Sequence, residues 1–260
     1  MRESATVNYH VRSDTPQAFR FDVDGVYGKL VSPTLLPTQV SVQDLRDVPS
    51  NMDFNRDGIR FDRHISKITD FETGSAWQAV YEEELRALLV ERIAAKEVIV
   101  FDHTVRVDDP DADRKPARNV HNDYSAPAAQ QRLIDILGEE RASEFQEGHY
   151  GFVNVWRPVQ QTIRTSPLGF IRPSSVRPED WMNIELIYPD RVGQILGVAA
   201  NDDHDWFYLS KMTPQEVVIF NIHDNRGRPC LGHSALDMDS ASGEKAVRKS
   251  IESRTLVRYQ

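Results

Sequence analysis

The clearest hydrophobic periodicity in the chain lies between residues 73 and 96. The apolar residues of this segment recur at steps of three and four positions: Trp77, Val80, Tyr81, Leu85, Leu88, Leu89 and Ile93. This spacing predicts an amphipathic helix that packs one face against a core. Ser75 stands where a side chain can cap the first turn of that helix. A second helix is predicted over residues 126–137, and Gly138 stands where it would end.

Short apolar runs separated by turn residues replace the helical pattern in the second half of the chain. The predicted strands are residues 97–101, 150–156, 168–172, 194–200, 206–209, 217–222 and 250–259. They predict a mainly β fold, a sandwich or barrel with flanking α-helices. The chain has no Pro-, Gly- or Ser-rich linker, so we expect a single domain over residues 1–260.

The beginning of the chain has a weaker pattern. Residues 32–57 are rich in Pro, Asp and Asn and are predicted to be loop with short elements. We therefore expect a loop-rich N-terminal region over residues 1–75, followed by a helix-flanked β core over residues 76–260.

Composition and charge narrow the classes of function. Lys and Arg number 31 against 40 Asp and Glu, a formal charge of −9 over 260 residues. A general nucleic-acid binder needs a basic face and is not expected. Cys230 is the single cysteine, which excludes an internal disulfide and favours a reducing compartment. With no apolar stretch of the roughly 18–20 residues that cross a bilayer and no signal-like start, we expect a cytoplasmic protein without a membrane partner.

The first candidate for chemistry is the run His121-Asn122-Asp123. On a strand, a histidine and a carboxylate two residues apart point to the same face and can reach one metal ion. His233, 112 residues downstream, is the best candidate for a third ligand. Two histidines and a carboxylate form a facial triad with open coordination positions, which suits oxygen activation by non-haem Fe(II). The competing interpretation is a strand-end His and Asp that backbone groups satisfy.

Arg248 and Ser250 form the second candidate, beginning fifteen residues beyond His233. On a strand they share a face, where a planar guanidinium matches a carboxylate and a hydroxyl adds one hydrogen bond. Together they are expected to hold the far carboxylate of 2-oxoglutarate. Arg254 lies on the same face if the strand has no bulge, and it is the alternative anchor. The competing interpretation is a surface arginine near the C-terminus.

The order of these residues, with the motifs around them, resembles one branch of the Fe(II)/2-oxoglutarate-dependent oxygenases. The motifs are Asp102-His103-Thr104-Val105-Arg106, Val120-His121-Asn122-Asp123-Tyr124-Ser125, Asn154-Val155-Trp156-Arg157-Pro158, Trp206-Phe207-Tyr208 and Arg248-Lys249-Ser250-Ile251-Glu252-Ser253-Arg254. The branch is the AsaB-like hydroxylase/desaturase group of secondary metabolism, which includes the cephalosporin 7α-methoxylation subunit of antibiotic biosynthesis. The resemblance covers about residues 75–260.

The resemblance implies a double-stranded β-helix, or jelly roll, with flanking helices. It also implies oxidation of a small organic molecule with Fe(II), O2 and 2-oxoglutarate, which is converted to succinate and CO2. It implies His121, Asp123 and His233 as iron ligands and Arg248 with Ser250 as anchors of the co-substrate. No catalytic residue is expected beyond the iron ligands.

Two departures from the family pattern lie close to the implied ligands. The family usually carries Pro-His-x-Ala-Phe at the distal histidine, where this chain has Gly232-His233-Ser234-Ala235-Leu236. Ser125 stands where Thr is commoner. Neither departure removes a ligand, but both reshape the pocket, so the family does not reveal the substrate.

Three further residues are candidates for binding the substrate. Arg157 ends a predicted strand and either pairs with an anionic substrate or 2-oxoglutarate, or forms a structural ion pair. Tyr124 follows the implied ligand Asp123 and either lines the pocket or packs against it. Trp206 is likewise a candidate for the pocket, with core packing as its alternative.

We therefore expect an Fe(II)/2-oxoglutarate-dependent dioxygenase that hydroxylates, desaturates or cyclises a small natural product or amino-acid-like molecule. Two alternatives stay open: a non-catalytic jelly-roll scaffold subunit of a biosynthetic enzyme pair, and a zinc hydrolase with the same ligands. A zinc hydrolase has no need of Arg248 and Ser250. Besides the small-molecule substrate, the candidate partners are a second copy in a homodimer and a biosynthetic partner protein, because the resembling family has a member that works beside another protein.

Overall fold

The computed structural model describes residues 1–26, 28–46, 48, 52–241 and 246–260. Its strands, in chain order, are β1 (Arg2–His10), β2 (Gln17–Arg20), β3 (Leu35–Asp44), β4 (Ile59–Arg63), β5 (Ala95–Val107), β6 (His121–Asn122), β7 (Tyr150–Pro158), β8 (Leu168–Ile171), β9 (Trp181–Ile187), β10 (Val192–Val198), β11 (Trp206–Tyr208), β12 (Glu216–Asp224), β13 (His233–Ala235), β14 (Asp237–Met238) and β15 (Lys249–Tyr259). The α-helices are α1 (Phe54–Asp57), α2 (Ala76–Ile93), α3 (Ala126–Leu137) and α4 (Glu139–Glu147). None of the helices in these ranges is long and apolar enough to span a membrane.

Both helices predicted from the sequence form, and local chemistry sets their ends. The hydroxyl of Ser125 accepts a hydrogen bond from the backbone N–H of Ala128 at 3.3 Å and caps α3. Gly138 ends α3 with a φ of 75°, a backbone angle that glycine adopts without strain. Ser75 precedes α2, but within the described first turn its hydroxyl makes no capping hydrogen bond, so that part of the prediction is wrong. The α2 helix stops before residue 96 because Ala94 adopts a left-handed φ of 54°.

The strands of the described residues form two sheets. The larger has the order β14-β1-β3-β11-β8-β13-β6-β10-β9-β2, and the smaller has the order β4-β12-β7-β15-β5. Along the chain, the path crosses repeatedly between the sheets, from β6 to β7 to β8 and from β11 to β12 to β13. Two facing sheets wound together in this way form a double-stranded β-helix. The predicted mainly β jelly roll with flanking helices is confirmed.

Three apolar clusters of the described residues fill the layers of this fold. Phe152, Phe170 and Phe220 belong to the cluster between the two sheets, which we call the interior. Val153 and Val155 belong to a second cluster, on the outer face of the smaller sheet, where α2 packs. The third cluster lies on the outer face of the larger sheet and contains residues of β1, β3 and β11. Because side chains alternate along a strand, each strand divides its residues between the interior and an outer face.

The first 75 residues contain more strand than the sequence predicts. Within the predicted loop of residues 32–57, residues 35–44 form β3, which pairs with β1 over the length of β1 and runs parallel to β11. Residues 47 and 49–51 of that predicted loop lie outside the described residues. Half of the residues of β3 are polar and Pro37 lies among them, so its pairing depends on distant partners rather than on its own pattern. The sequence pattern also does not predict β9 or α4.

Candidate metal centre

Strands β6 and β13 lie side by side in the larger sheet and bring two histidines together. His121 is directly opposite His233 in the antiparallel register, and their ring centroids are 4.4 Å apart. Oδ1 of Asp123 lies 3.5 Å from Nε2 of His121 and 3.9 Å from Nε2 of His233. The three side chains are buried, and one ligand atom from each lies within 4.8 Å of the other two. A single ion can therefore contact all three residues.

Backbone carbonyls hold both imidazole rings in one orientation. Nδ1 of His121 lies 2.8 Å from the carbonyl oxygen of Asn119, and Nδ1 of His233 lies 3.0 Å from that of Leu231. Because a carbonyl only accepts, each Nδ1 carries the proton and each Nε2 keeps a free lone pair toward Asp123. Burial, and then the neighbouring His121, lower the pKa of His233 to about 3. The ring is therefore neutral at physiological pH, as a metal ligand must be.

Asp123 has one oxygen held by the protein and the other turned toward the histidines. Its Oδ2 accepts hydrogen bonds from Nδ2 of Asn154 at 2.9 Å and from Nε of Arg254 at 3.0 Å. Burial alone raises the pKa of this carboxyl group, but its charged surroundings, of which Arg254 is the strongest, lower it well below its usual range. Asp123 is therefore ionised. Two imidazoles and one carboxylate form a donor set that fits Fe(II).

Arg254, the alternative anchor for 2-oxoglutarate, is surrounded by carboxylates. Besides Asp123, its guanidinium pairs with Asp102 at 2.6 Å and with Glu252 at 2.5 Å. Burial disfavours the cation, but Glu252, Asp123 and Asp102 together raise the pKa of Arg254. Both of its terminal nitrogens and Nε are directed at acids of this chain, so the contacts support a role in holding Asp123 in place.

Arg248 and Ser250 lie further along the same interior face. Ser250, Glu252 and Arg254 alternate on β15 and therefore share this face. The guanidinium of Arg248 is 3% exposed, donates to Oγ of Ser250 at 3.3 Å and lies over the ring of Trp156 at 5.2 Å. No ion pair in the described ranges includes Arg248. Burial, and then the nearby cation of Arg106, lower the pKa of Arg248 to about 9, so an anion placed beside it would be stabilised.

Tyr124 lies beside the three-residue group. Its half-buried ring packs against Phe152, with 5.1 Å between centroids and an interplanar angle of 60°. Burial, and then the charge of Asp123, raise the pKa of Tyr124 to about 12. The phenol is therefore protonated at physiological pH and lies close to Asp123. A role in substrate binding stays a prediction for this residue.

The structure does not bring Trp206 to the three-residue group. Its Nε1 donates to the hydroxyl of Tyr9 at 2.8 Å, and both residues belong to the cluster on the outer face of the larger sheet. The neighbouring Phe207 is the residue of β11 that faces the interior. Strand alternation therefore separates Trp206 from the pocket, in agreement with core packing as the alternative given above.

Arg157 also lies on an outer face. It is three positions from Asn154 on β7, and an odd spacing on a strand reverses the direction of the side chain. Its guanidinium donates to the backbone carbonyl of His64 and lies 5.8 Å from the ring centroid of Tyr81, beneath α2. In the part of the chain that the structure describes, Arg157 forms no ion pair. The structure therefore supports neither of the two roles predicted for this residue.

Sequence reasoning missed three residues that contact Asp123 or its partner Arg254. Asn154 donates to Asp123, whereas Asp102 and Glu252 pair with Arg254. A signal for Asn154 was present, because it is the single amide of β7 and stands between the apolar pairs Phe152-Val153 and Val155-Trp156. A buried amide needs a partner, so its position predicts a polar group nearby.

A family model described as an oxidoreductase/YMDC permease-like domain matches residues 7–258 of the chain. The hydroxylase/desaturase efuI of Hormonema carpetanum is 28% identical over 296 aligned positions, which cover 99% of this chain and 97% of that protein. The alpha-ketoglutarate-dependent dioxygenase phiK of a fungal species is 29% identical, and the alignment covers 84% of this chain and 83% of that protein.

Solved structures with the same fold are also found. The iron and alpha-ketoglutarate-dependent endoperoxidase NvfI, in a structure described as having a different conformation, superposes with a TM-score of 0.87 at 20% identity. That match covers 99% of this chain and 98% of the other. Another structure of NvfI superposes with a TM-score of 0.82 and covers 100% of this chain and 98% of the other. The likeness in fold therefore extends over both chains.

Proposed function

Since this chain belongs to the oxidoreductase/YMDC permease-like family, we propose that it is an Fe(II)/2-oxoglutarate-dependent oxygenase that acts on small molecules. The observation that carries the proposal is the convergence of ligand atoms from His121, Asp123 and His233 within 4.8 Å. The names of its relatives, hydroxylase/desaturase and alpha-ketoglutarate-dependent dioxygenase, support the same activity. A zinc hydrolase or a scaffold subunit has no use for a buried arginine that, among the described residues, forms no ion pair.

The proposed residues for holding iron are His121, Asp123 and His233. The hydrogen bonds from each Nδ1 to a backbone carbonyl leave Nε2 free to bind the ion. Arg254 and Asn154 hold Oδ2 of Asp123, so Oδ1 is the oxygen available to the metal. Ligands oriented before the ion arrives lose little freedom on binding it, which favours a stable site.

Arg248 and Ser250 are the proposed anchors for the far carboxylate of 2-oxoglutarate. The guanidinium is buried and lacks a carboxylate partner among the described residues, whereas Arg254 already has three. When bound, Fe(II), O2 and 2-oxoglutarate supply the oxidation of a substrate C–H bond, and 2-oxoglutarate becomes succinate and CO2. The residues of this chain orient the co-substrate, keep Asp123 ionised and exclude water through the apolar interior.

The proposal extends to the branch and to the outcome of the reaction. The relatives called hydroxylase/desaturase support a place in the hydroxylase/desaturase group that includes the cephalosporin 7α-methoxylation subunit. Hydroxylation, desaturation and cyclisation of a small natural product or amino-acid-like substrate all start from oxidation of one C–H bond. A cytoplasmic location, a homodimer and a biosynthetic partner protein stay predictions from the sequence.

Anaerobic addition of Fe(II) and 2-oxoglutarate to metal-free protein tests the proposal. A chelated keto acid on Fe(II) gives a visible charge-transfer band, which we expect for the parent protein. We expect the band to be absent in His121→Ala and to require a higher concentration of 2-oxoglutarate in Arg248→Ala. The control Arg177→Gln removes an exposed ion pair with Asp203 and should leave the band unchanged.

Absence of the band in folded, iron-binding parent protein would contradict the oxygenase proposal. Hydrolysis of a test ester that depends on Zn(II) and not on O2 would then favour the hydrolase. Circular dichroism of each variant checks that a missing band does not come from a missing fold.

A further inference from the structure

Aromatic side chains line one side of the proposed metal centre. Phe152 lies two residues before Asn154 on β7, so both face the interior, where Asn154 donates to Asp123. The ring of Phe152 packs against Tyr124 at 5.1 Å and against Phe101 at 5.9 Å, both edge to face. We call Phe101, Tyr124 and Phe152 the aromatic wall. Tyr124 directly follows Asp123 in the chain and senses its charge, so the wall begins beside this carboxylate.

A β-bulge places Phe101 in this wall. Arg254 is paired with Asp102, but the next residue of β15, Thr255, is paired with Val100, so Phe101 has no partner in the ladder. Such a bulge changes the direction of a side chain relative to regular alternation. Here it lets the ring of Phe101 pack on Phe152 in the interior while the adjacent Asp102 pairs with Arg254. Phe101 and Tyr124 are only half-buried, so the wall is open to a ligand.

Arg132 of α3 lies over this wall. Its Cζ is 4.9 Å from the centroid of Phe101, and its side chain is half-buried. Arg132 also hydrogen-bonds to Tyr124, but none of the ion pairs among the described residues includes it, whereas Arg254 pairs with three acids. A half-buried guanidinium beside an aromatic surface is a suitable partner for a planar molecule with an acidic group.

Arg248 and Arg132 lie near different positions along β15. On β15, Ser250 beside Arg248 lies four residues before Arg254, and Leu256, which is paired with Phe152, lies two residues after it. At a rise of about 3.3 Å per residue, these positions are separated by about 20 Å. The anchor proposed for 2-oxoglutarate at Arg248 and the aromatic wall under Arg132 therefore lie at different positions along β15.

We propose that the substrate is a planar aromatic or conjugated molecule with an acidic group, which stacks on the aromatic wall and pairs with Arg132. This inference rests on the proposed function, in which Arg248 takes the far carboxylate of 2-oxoglutarate. Stacking on Phe101 and Tyr124 presents an edge of the substrate toward Asp123. The acidic group, held by Arg132, determines which edge that is.

Calorimetric titration with simple probes tests this substrate class. The probes are 2-naphthoate, the neutral isostere 2-naphthamide and the non-planar acid cyclohexanecarboxylate, added anaerobically to protein loaded with Fe(II) and 2-oxoglutarate. We expect 2-naphthoate to bind about 10-fold more tightly than either comparison probe, because a charge-assisted contact of its carboxylate with Arg132 provides a gain of that size. Saturating 2-oxoglutarate keeps the probes away from Arg248.

Variants separate the contribution of charge from that of stacking. In Arg132→Gln, naphthoate and naphthamide should bind about equally. Arg132→Lys should retain most of the preference for naphthoate. Phe101→Leu should weaken both naphthalene probes alike. The control Arg141→Gln removes another helical arginine that lies 5.8 Å from a phenylalanine ring but is paired with Glu97, and it should leave the preference unchanged.

Equal binding of naphthoate and naphthamide to the parent, or a preference that survives Arg132→Gln, would overturn the inference. A charge-transfer band in the same samples reports the proposed function separately. If no protein shows the band, the same titrations on metal-free protein still measure the preference, and its loss in Arg132→Gln still supports an acid-binding site at the wall.

Discussion

Replacement of Arg254 tests whether this residue holds Asp123 in the state that a metal requires. Arg254→Gln removes the cation from three carboxylates, and the side chains of Asp123 and Glu252 are only 10% and 7% exposed. Breaking a buried ion pair by removing one partner costs about 3–5 kcal/mol. The pair with Asp102, which is 41% exposed, adds about 0–1 kcal/mol. We expect the free energy of unfolding of the metal-free protein to fall by about 3–5 kcal/mol at pH 7.5.

The pH dependence of this loss identifies its cause. In the parent, folding depresses the pKa of Asp123. The contribution of Asp123 to stability is therefore complete above its pKa in the unfolded chain, about 3.9, and is lost only as the pH falls through its lower pKa in the folded protein. Without Arg254 the strongest group that lowers this pKa is gone, so the pKa of Asp123 should rise. Protonation then relieves the unpaired charge, so the difference in stability between variant and parent should be smaller at pH 4.5 than at pH 7.5.

Urea denaturation at the two pH values, followed by circular dichroism, measures both quantities. A titration with Fe(II) under anaerobic conditions should in addition show an affinity about 10–100-fold lower, as for other residues that orient metal ligands. The exposed pair of Arg177 and Asp203 provides the control, because Arg177→Gln should cost no more than about 1 kcal/mol. A loss below about 1 kcal/mol in Arg254→Gln, together with unchanged metal affinity, would refute the assignment of Arg254 to Asp123.

Three further predictions concern the surroundings of the site. Gly197→Ala places a methyl group 2.6 Å from the ring of His10 and 2.8 Å from Ile184, and urea denaturation should show a loss of about 1–3 kcal/mol. Burial, and then His121, lower the pKa of His10 to about 4. As the pH falls from about 6.5 to about 4, the unfolded state takes up a proton that folded His10 resists, so the free energy of unfolding of the metal-free parent should fall by about 3 kcal/mol. Urea denaturation of His10→Gln should not show this loss. Tyr9→Phe leaves the buried indole N–H of Trp206 without its acceptor, and thermal denaturation should show a loss of about 1–3 kcal/mol, whereas an unchanged melting temperature would count against that bond.

Local patterns in the sequence predicted the elements whose structure depends on near neighbours. The recurrence of apolar residues at three- and four-residue steps from Trp77 to Ile93 predicted α2, and Gly138 ends α3 as predicted. The alternation of strand side chains also predicted that His121 and Asp123 share a face. These inferences succeed because they need only the geometry of one helix or one strand.

The pattern does not predict elements that depend on distant partners. β3 is a strand because β1 and β11 lie on either side of it, and half of its own residues are polar. The bulge at Phe101 likewise arises between β5 and β15, which are far apart in the chain. Non-local pairing of this kind leaves no periodic signal in either segment alone.

For the polar residues as well, the sequence predicted one part of their roles and the tertiary structure decided the other. Spacing selected His121, Asp123, Arg248 and Arg254 as candidates, but spacing alone did not distinguish the two arginines. The tertiary structure decided that Arg254 meets Asp123 and two further acids, while Arg248 is buried without one among the described residues. The sequence by itself determined which groups can bind a metal or an anion, because that is a property of residue type. The packing of two sheets decided which of them meet, because a charge is compensated only by the groups that folding brings within a few ångströms of it.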